Sequence, residues 1–253
     1  MWHRMTKAWN TAWVVGGSTG LGAELVRILA EEGITTYVSA RDKQKLMELS
    51  DGNDHVREIQ LDVTDKDACN SVTAEIFSFN KTLPDLIILN AAVYSPMDVQ
   101  NFDVDKISTM TNVNYMGIVN MFAALLPYRG MGNDTTIAAV TSPSGWRGLP
   151  GGIGYGSSKA AVINLMESMK PELDYCGIDL RVINPGFIKT RLTDKNEFKM
   201  PQLMTAEMAA KKTLKGLRTS KFDIAFPNPF LFSLKCLRIL PYWLYFRLTK
   251  NLR

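Results

Sequence analysis

Short β-rich apolar runs alternate with amphipathic helical patterns along most of this chain. The run at residues 83–89 is apolar enough to be a strand buried on both faces of a parallel sheet. Strands that alternate with helices build stacked βαβ units. With 253 residues and 46% apolar content, the pattern predicts one doubly wound α/β domain whose mostly parallel sheet has about seven strands. Strands are expected at residues 11–15, 34–40, 55–61, 83–89, 135–141, 178–183 and 222–226, and helices at 21–32, 108–126, around 155–159 and 206–217.

Cysteine and histidine usage excludes several classes of protein. Cys69, Cys176 and Cys236 are far apart and odd in number, which argues against a disulfide framework and for a reducing, cytoplasmic location. The chain has two histidines, His3 and His55, and lacks a Cys-x-x-Cys pair, so no metal site is predicted. Its start lacks the apolar stretch of a secretion signal.

Positive charge is concentrated at the end of the chain. The net charge is +4, yet no acidic residue follows Asp223. The part before the tail is therefore close to neutral, and a nucleic-acid partner is not expected. The cations beyond Asp223 are Lys235, Arg238, Arg247, Lys250 and Arg253.

A glycine-rich turn joins the first predicted strand to the first predicted helix. Glycines at this position permit a tight turn, and the free N–H groups of the helix N-terminus suit a pyrophosphate. A flexible loop is the alternative interpretation. The turn consists of Gly16, Gly17, Ser18, Thr19, Gly20, Leu21 and Gly22.

Tyr155 and Lys159 are four residues apart in a segment expected to be helical, so their side chains project from one face. An ammonium group beside a phenol favours the phenolate and lowers the pKa of the phenol. The pair thus predicts an acid–base group that works near neutral pH. Surface residues with this spacing are the alternative.

In order and in spacing, these features resemble the short-chain dehydrogenase/reductase family from about residue 11 to 226. Val15 and Ala92 depart from the family pattern, at positions expected to be structural. The matching landmarks are the glycine turn, Asn90-Ala91-Ala92 after the fourth strand, Asn114 in the long helix, Ser142 thirteen residues before Tyr155, and Pro185-Gly186 followed by Thr190.

The resemblance implies a Rossmann-type catalytic domain at 1–226 and a role for each reacting residue. Tyr155 exchanges a proton with the substrate, and Lys159 lowers the pKa of that tyrosine and contacts the nicotinamide ribose. Ser142 positions the carbonyl oxygen, and Asn114 holds a water that links Lys159 to solvent. Ser144 and Asn112 remain rivals for the last two roles, and Ser142 and Asn114 have structural alternatives as a strand-end cap and a helix-interior polar group.

The same resemblance implies the cofactor contacts. The second strand ends at Ala40, where the family usually has an acid, and Arg41 follows; an arginine suits a 2′-phosphate, so NADP(H) is favoured over NAD(H). Arg41 as a solvated charge, and Asp62 as a helix cap, are the alternatives. Expected cofactor-binding residues are Gly16, Ser18, Thr19, Gly20, Leu21, Gly22, Arg41, Asp62, Val63, Asn90, Ala91, Tyr155, Lys159, Pro185, Gly186, Ile188 and Thr190.

The predicted function is therefore that of an NADP(H)-dependent oxidoreductase interconverting a carbonyl and an alcohol, with homo-oligomers usual in the family. A catalytically idle NADP(H)-binding regulator and a membrane-associated protein of the same fold are the alternatives. An apolar small-molecule substrate is expected to meet residues 187–205, including Phe198 and Lys199, together with Tyr94 and residues 146–149.

The tail at 227–253 departs from the family pattern. Residues 230–248 are strongly apolar but are interrupted by cations and by Pro241, unlike a spanning helix of about 20 apolar residues. One interpretation is an interfacial segment in peripheral contact with a membrane. The other is a tail packed on its own domain or on a second subunit.

Overall fold

The computed structural model describes residues 8–132, 134–195 and 200–250. His3, Phe198, Lys199 and Arg253, named above, lie outside these ranges. The strands are β1 Thr11–Val15, β2 Thr35–Ala40, β3 Val56–Gln60, β4 Leu86–Leu89, β5 Thr135–Val140, β6 Ile178–Pro185 and β7 Asp223–Phe226. The helices are α1 Gly20–Glu31, α2 Lys43–Ser50, α3 Lys66–Asn80, α4 Val104–Thr111, α5 Gly117–Leu125, α6 Ile153–Asp174, α7 Ala206–Leu217, α8 Asn228–Ile239 and α9 Tyr242–Thr249.

The sheet confirms the predicted fold class. Its strand order is β3-β2-β1-β4-β5-β6-β7, and every neighbouring pair is parallel. The chain order changes direction between β1 and β4, so the crossovers leave these two strands toward opposite sides. Such a switch point creates a crevice at the carboxyl ends of the strands.

Side chains of successive strand residues enter two different apolar layers. Val14 and Ile88 belong to the layer that contains α1 and α7, whereas Trp13 and Ile87 belong to the layer with α3, α5 and α6. Because alternate residues of a strand point to opposite faces, β4 is apolar throughout and β1 is apolar from Ala12 to Val15. This double burial fixes β1 and β4, and with them the turns that follow.

Two predicted elements start three or more residues away from their predicted first residues, whereas several others differ by one or two residues at an end. The fourth strand starts at Leu86 rather than at residue 83, because Pro84 has no N–H to donate and the Asp85 carboxylate instead accepts hydrogen bonds from the backbone of Asn10 (2.7 Å) and Thr11 (3.0 Å). The long helix begins at Val104, where the Asp103 side chain caps its first turn.

That long helix is also not continuous. A π-helical turn, Asn112–Met116, separates α4 from α5. The helices α2 and α3 were not predicted, although Asp42 and Asp65 cap them by accepting hydrogen bonds from Lys45 N (3.2 Å) and Ala68 N (2.9 Å). An acidic residue that precedes a helical run is the sequence signal that would have indicated both.

Candidate active site

A cleft of about 2710 Å³ lies at the carboxyl ends of the strands, where the switch point predicts a ligand site. Most of the predicted site residues line it. Gly22 and Asn114 lie behind the lining. The lining includes Gly16, Ser18, Thr19, Gly20, Leu21, Arg41, Asp62, Val63, Asn90, Ala91, Ser142, Tyr155, Lys159, Pro185, Gly186, Ile188 and Thr190.

The glycine turn is held by contacts that leave no space for side chains. Gly16 has φ +85, and a Cβ there would stand 2.5 Å from the Ala91 Cα. A Cβ on Gly22 would stand 2.4 Å from the Gly16 carbonyl oxygen. The Asn90 amide donates a hydrogen bond to that same oxygen at 2.6 Å. Gly22 and Asn90 therefore shape the turn, and a flexible loop is excluded.

The N-terminus of α1 is open toward the cleft. Thr19 occupies its N-cap position but makes no side-chain capping bond, whereas Asp42, Asp65 and Asp103 each cap their own helices. Uncapped N–H groups and the positive end of the helix dipole suit an anion. A Cβ in this turn would fill the space that its glycines leave open. The turn and the open end of α1 therefore fit the pyrophosphate of a dinucleotide.

The phenol of Tyr155 faces Ser142 at the end of β5. The Ser142 hydroxyl accepts a hydrogen bond from the Ser144 hydroxyl at 3.0 Å and is within hydrogen-bond reach of the Tyr155 phenol. Both serines line the cleft, but Ser142 is the one beside Tyr155. The geometry therefore favours Ser142 over Ser144 as the partner of the phenol.

Lys159 is buried one helical turn along α6. Its side chain is 1% exposed, and Nζ donates a hydrogen bond to the Val140 carbonyl at 2.8 Å. Nζ also lies 5.6 Å from the centroid of the Tyr155 ring. The pair thus shares one face of the helix, as its spacing predicted, and a pair of mere surface residues is excluded.

The pKa of the Tyr155 phenol differs from the expectation. Burial raises it to about 12, the hydrogen bond with Ser142 opposes the rise, and Tyr94 adds to it. Burial likewise lowers the pKa of Lys159 to about 8. The expected lowering of the phenol pKa by Lys159 is therefore wrong for the protein alone, because the cost of burying the phenolate outweighs other effects.

Asn114 is fully buried, and its amide is occupied by protein partners. Its Oδ1 accepts from Val93 N at 2.7 Å, and its Nδ2 donates to the Val93 carbonyl and to the Ser158 hydroxyl, both at 3.0 Å. The side chain is thus a structural tie, which is the alternative raised for it, whereas the holding of a water by Asn114 stays a prediction. The π turn that contains it is a feature often found at functional sites.

Two further contacts concern the predicted cofactor residues. Asp62 Oδ1 accepts hydrogen bonds from Thr64 N (2.9 Å) and from the Thr64 hydroxyl (2.8 Å), so Asp62 makes a local turn at the cleft edge while Asp65 caps α3. The methyl carbon of Thr190 lies 3.0 Å from where a Cβ of Gly20 would be. The loop after β6 therefore closes onto the glycine turn.

Tyr94, which was expected near the substrate, lines the cleft, and the tail adds lining residues that sequence reasoning missed. The Tyr94 ring packs edge-on against Tyr155 at 5.1 Å between centroids, so Tyr94 adjoins the reacting phenol itself. The tail also contributes cleft residues, which no sequence signal indicated because they come from helices far along the chain. These residues are Phe230, Leu234, Phe246, Thr249 and Lys250.

Arg147 attaches the tail to the rest of the protein. Its guanidinium donates hydrogen bonds to the carbonyls of Leu237 (2.6 Å) and Arg238 (3.1 Å) in the last turn of α8 and of Leu240 (2.7 Å) just after it. It also lies 3.9 Å from the ring centroid of Tyr245, whose hydroxyl donates to the Gly148 carbonyl. The tail therefore packs on its own domain, one of the alternatives raised for it. Within the described ranges, no helix combines the length and apolarity needed to cross a membrane.

Comparison with known proteins identifies the family. The family model described as short chain dehydrogenase matches residues 10–200. This chain belongs to the short-chain dehydrogenase family, a family of oxidoreductases. An uncharacterized oxidoreductase of Myxococcus xanthus is 29% identical over 254 residues, which cover 97% of this chain and 98% of the relative.

Solved structures share the fold over nearly the whole chain. A short chain dehydrogenase from Burkholderia cenocepacia in complex with NADP superposes with a TM-score of 0.84 at 24% identity, covering 96% of this chain and 99% of its own. A short chain dehydrogenase/reductase from Burkholderia phymatum in complex with NAD gives 0.80 at 18% identity, covering 91% and 93%.

Proposed function

We propose that the protein is an NADP(H)-dependent reductase that interconverts an apolar carbonyl compound and its alcohol. The observation that supports this most strongly is that Tyr155, Ser142 and Lys159 converge in the cleft that also contains the open N-terminus of α1. An idle dinucleotide-binding regulator needs the glycine turn but has no use for a buried Lys159. The proposed location is the cytoplasm, and the proposed assembly is a homo-oligomer.

In the reductive direction, Tyr155 acts as the general acid. A phenol with a pKa of about 12 is fully protonated at neutral pH, so its proton is available to the carbonyl oxygen of the substrate. The Ser142 hydroxyl donates a hydrogen bond to the same oxygen and orients it. The nicotinamide, when bound, supplies the hydride that the carbonyl carbon gains.

Lys159 stabilises the charge that Tyr155 acquires when it donates its proton. Proton donation leaves a phenolate, and the ammonium 5.6 Å from the ring centroid stabilises that negative charge. Its ammonium also suits the ribose hydroxyls next to the nicotinamide. The buried lysine thus offsets the burial cost that holds the phenol protonated in the free protein.

Replacing Tyr155 by Phe tests the proton-donor role. Tyr155→Phe removes the transferable proton and keeps the ring, so we expect at least a thousandfold loss of kcat with NADPH affinity nearly unchanged. NADPH oxidation is measured with ketones, aldehydes and quinones, including long-chain and steroid carbonyls. Tyr175→Phe, at an exposed tyrosine beyond the end of α6, is the matched control. Substantial activity in Tyr155→Phe would overturn the role.

Arg41 carries the proposed preference for NADPH. It lines the cleft just after β2, its backbone carbonyl accepts a hydrogen bond from Gln60, and Ala40 before it brings no carboxylate. Arg41→Ala should weaken NADPH binding at least tenfold and NADH binding little, because the lost partner is a 2′-phosphate. Titration with both nucleotides measures this, and Lys43→Ala, outside the lining, is the control. Equal losses for both nucleotides would refute the preference.

A further inference from the structure

The tail presents two different faces. Its inner face is packed on the protein: Leu231 is 2% exposed and Tyr245 is 3% exposed. Its outer face is apolar and open to solvent, and we call it the outer tail face. The outer tail face consists of Phe232, Ile239, Tyr242, Trp243, Phe246 and Leu248.

Exposure on this scale is unusual for a soluble surface. Ile239 is 82% exposed, Tyr242 is 71% exposed and Trp243 is 69% exposed, and they are neighbours around Pro241. The Tyr242 and Phe246 rings stack at 5.8 Å between centroids. A contiguous apolar patch of this kind marks an interaction site.

The charges around the patch select the partner. No carboxylate lies in the chain beyond Asp223, while Lys235, Arg238, Arg247 and Lys250 are exposed beside the aromatic residues. Lys235 pairs with Asp223 at 2.6 Å, and Arg238 lies 3.9 Å from the Glu167 carboxylate, so Arg247 and Lys250 carry most of the charge argument. A second copy of this chain, meeting the face symmetrically, would bring like charges together.

We propose that the outer tail face binds the surface of a bilayer that contains anionic lipids. Aromatic side chains favour the headgroup level, and each Lys or Arg near an anionic surface adds to the attraction. The helices α8 and α9 have 12 and 8 residues and break at Pro241, so they suit the interface plane rather than a span.

The same contact defines how a substrate reaches the cleft. Phe246 belongs to the outer tail face and also lines the cleft, beside Phe230 and Leu234. A carbonyl compound that partitions into lipid can therefore enter past the tail without crossing water. This part of the inference rests on the proposed function, whereas the binding of lipid does not.

Co-sedimentation with vesicles tests the surface. The full chain is mixed with phosphatidylcholine vesicles that contain or lack phosphatidylserine. We expect the bound fraction to be greater by at least tenfold with phosphatidylserine. Arg247→Glu should weaken binding about tenfold or more, since it reverses a charge, and Trp243→Ser should weaken it several-fold.

Matched controls distinguish binding by the outer tail face from nonspecific binding of any exposed aromatic or basic residue to vesicles. Phe79 is 69% exposed on α3, as exposed as Trp243, and Phe79→Ser should bind vesicles like the unchanged protein. Lys43→Glu reverses an exposed charge on α2 and should behave likewise. Undiminished binding in both tail variants would overturn the proposal. So would a concentration-dependent dimer that Trp243→Ser dissociates, with vesicle binding absent.

An activity arm separates the failure of this inference from that of the proposed function. NADPH oxidation is compared for a long-chain ketone embedded in vesicles and a short water-soluble ketone. Trp243→Ser and Arg247→Glu should lose the first activity several-fold and keep the second. Vesicle binding without any NADPH oxidation would refute the proposed function and leave the lipid surface intact; equal turnover of the embedded ketone by all variants would refute lipid entry.

Discussion

The two ends of the cleft are held together by different forces. At the cofactor end, backbone meets backbone: the Gly16 turn lies against Ala91, and Gly22 lies against Gly16. At the tail end, side chains make the contacts: Arg147 joins segments about 90 residues apart through hydrogen bonds to helix-end carbonyls, and the Tyr245 hydroxyl donates to the Gly148 carbonyl. The first end tolerates no added atom, whereas the second depends on side-chain contacts.

The two ends of the cleft therefore differ in how rigidly they are held. Close backbone packing fixes the cofactor end before any ligand arrives, because interiors near the packing limit cannot deform continuously. The tail end is attached by a few buried side chains, among them Leu231 and Tyr245, and by polar contacts at a partly solvated surface, which are individually worth little. We therefore expect changes at the first end to affect the fold and the cofactor together, and changes at the second to affect the packing of the tail and the substrate but not the cofactor.

The largest effect is expected at Gly22. In Gly22→Ala, the new methyl group would stand 2.4 Å from the Gly16 carbonyl and 2.7 Å from the Asn90 amide. Overpacking against backbone should lower the free energy of unfolding by about 3 kcal/mol and weaken NADPH binding at least tenfold. Denaturant titration and nucleotide titration measure the two effects.

Gly148→Ala is the control for that change, since a Cβ at Gly148 meets nothing within 4 Å. It should leave both quantities within error. If Gly22→Ala were as stable as the unchanged protein, the turn would be looser than its contacts indicate, and the contrast between the two ends would fail.

An effect of opposite sign is expected at Lys159, where the two ends meet. Burial lowers its pKa from 10.5 to about 8, so below pH 8 the folded protein carries an ammonium at a cost. Lys159→Met should raise the free energy of unfolding at pH 7 by about 2 kcal/mol while reducing turnover at least a hundredfold.

The pH dependence gives the sign of that effect. Between pH 8 and 10.5 the unfolded chain holds more protons on Lys159 than the folded chain does, so stability of the unchanged protein should rise with pH. The advantage of Lys159→Met should shrink over this window. Lys212→Met, at an exposed position, is the control, and a difference independent of pH would contradict the assigned cause.

The smallest effect is expected at Arg147. Arg147→Ala removes the hydrogen bonds to α8 and the contact with the Tyr245 ring, which should lower the free energy of unfolding by about 1–2 kcal/mol. Because the tail lines the substrate part of the cleft, KM should rise several-fold while NADPH affinity stays unchanged.

Arg129 provides the comparison for this variant. It also donates to a helix-end carbonyl, that of Leu126 at 2.8 Å, but at an exposed site away from the cleft. Arg129→Ala should leave KM unchanged. A loss of NADPH affinity in Arg147→Ala equal to the rise in KM would mean that the two ends are coupled, against the comparison drawn here.

Much of the fold followed from local pattern. The strand β1 and the helix α7 have the predicted bounds, and α1 differs by one residue. These elements combine a clear period with a definite end, such as Gly33 with φ +78 after α1. The split of the long helix at Asn112–Met116 was not predictable in the same way. The π-helical turn contains Asn114, whose side chain bonds to Val93, a residue distant in the chain.

The sequence by itself determined the sheet, the glycine turn and the spacing that brings Tyr155 and Lys159 to one face of α6. The strand pattern, the position of the glycine turn and the spacing of the pair can each be read from residues close together in the chain, where sterics and periodicity leave few options. Only the tertiary structure decided the pKa values of Tyr155 and Lys159 and the part of the cleft lining that the tail supplies. Burial raises the pKa of Tyr155, against the expected direction, and lowers that of Lys159. Arg147 holds the tail in place by donating to carbonyls that are distant in the chain.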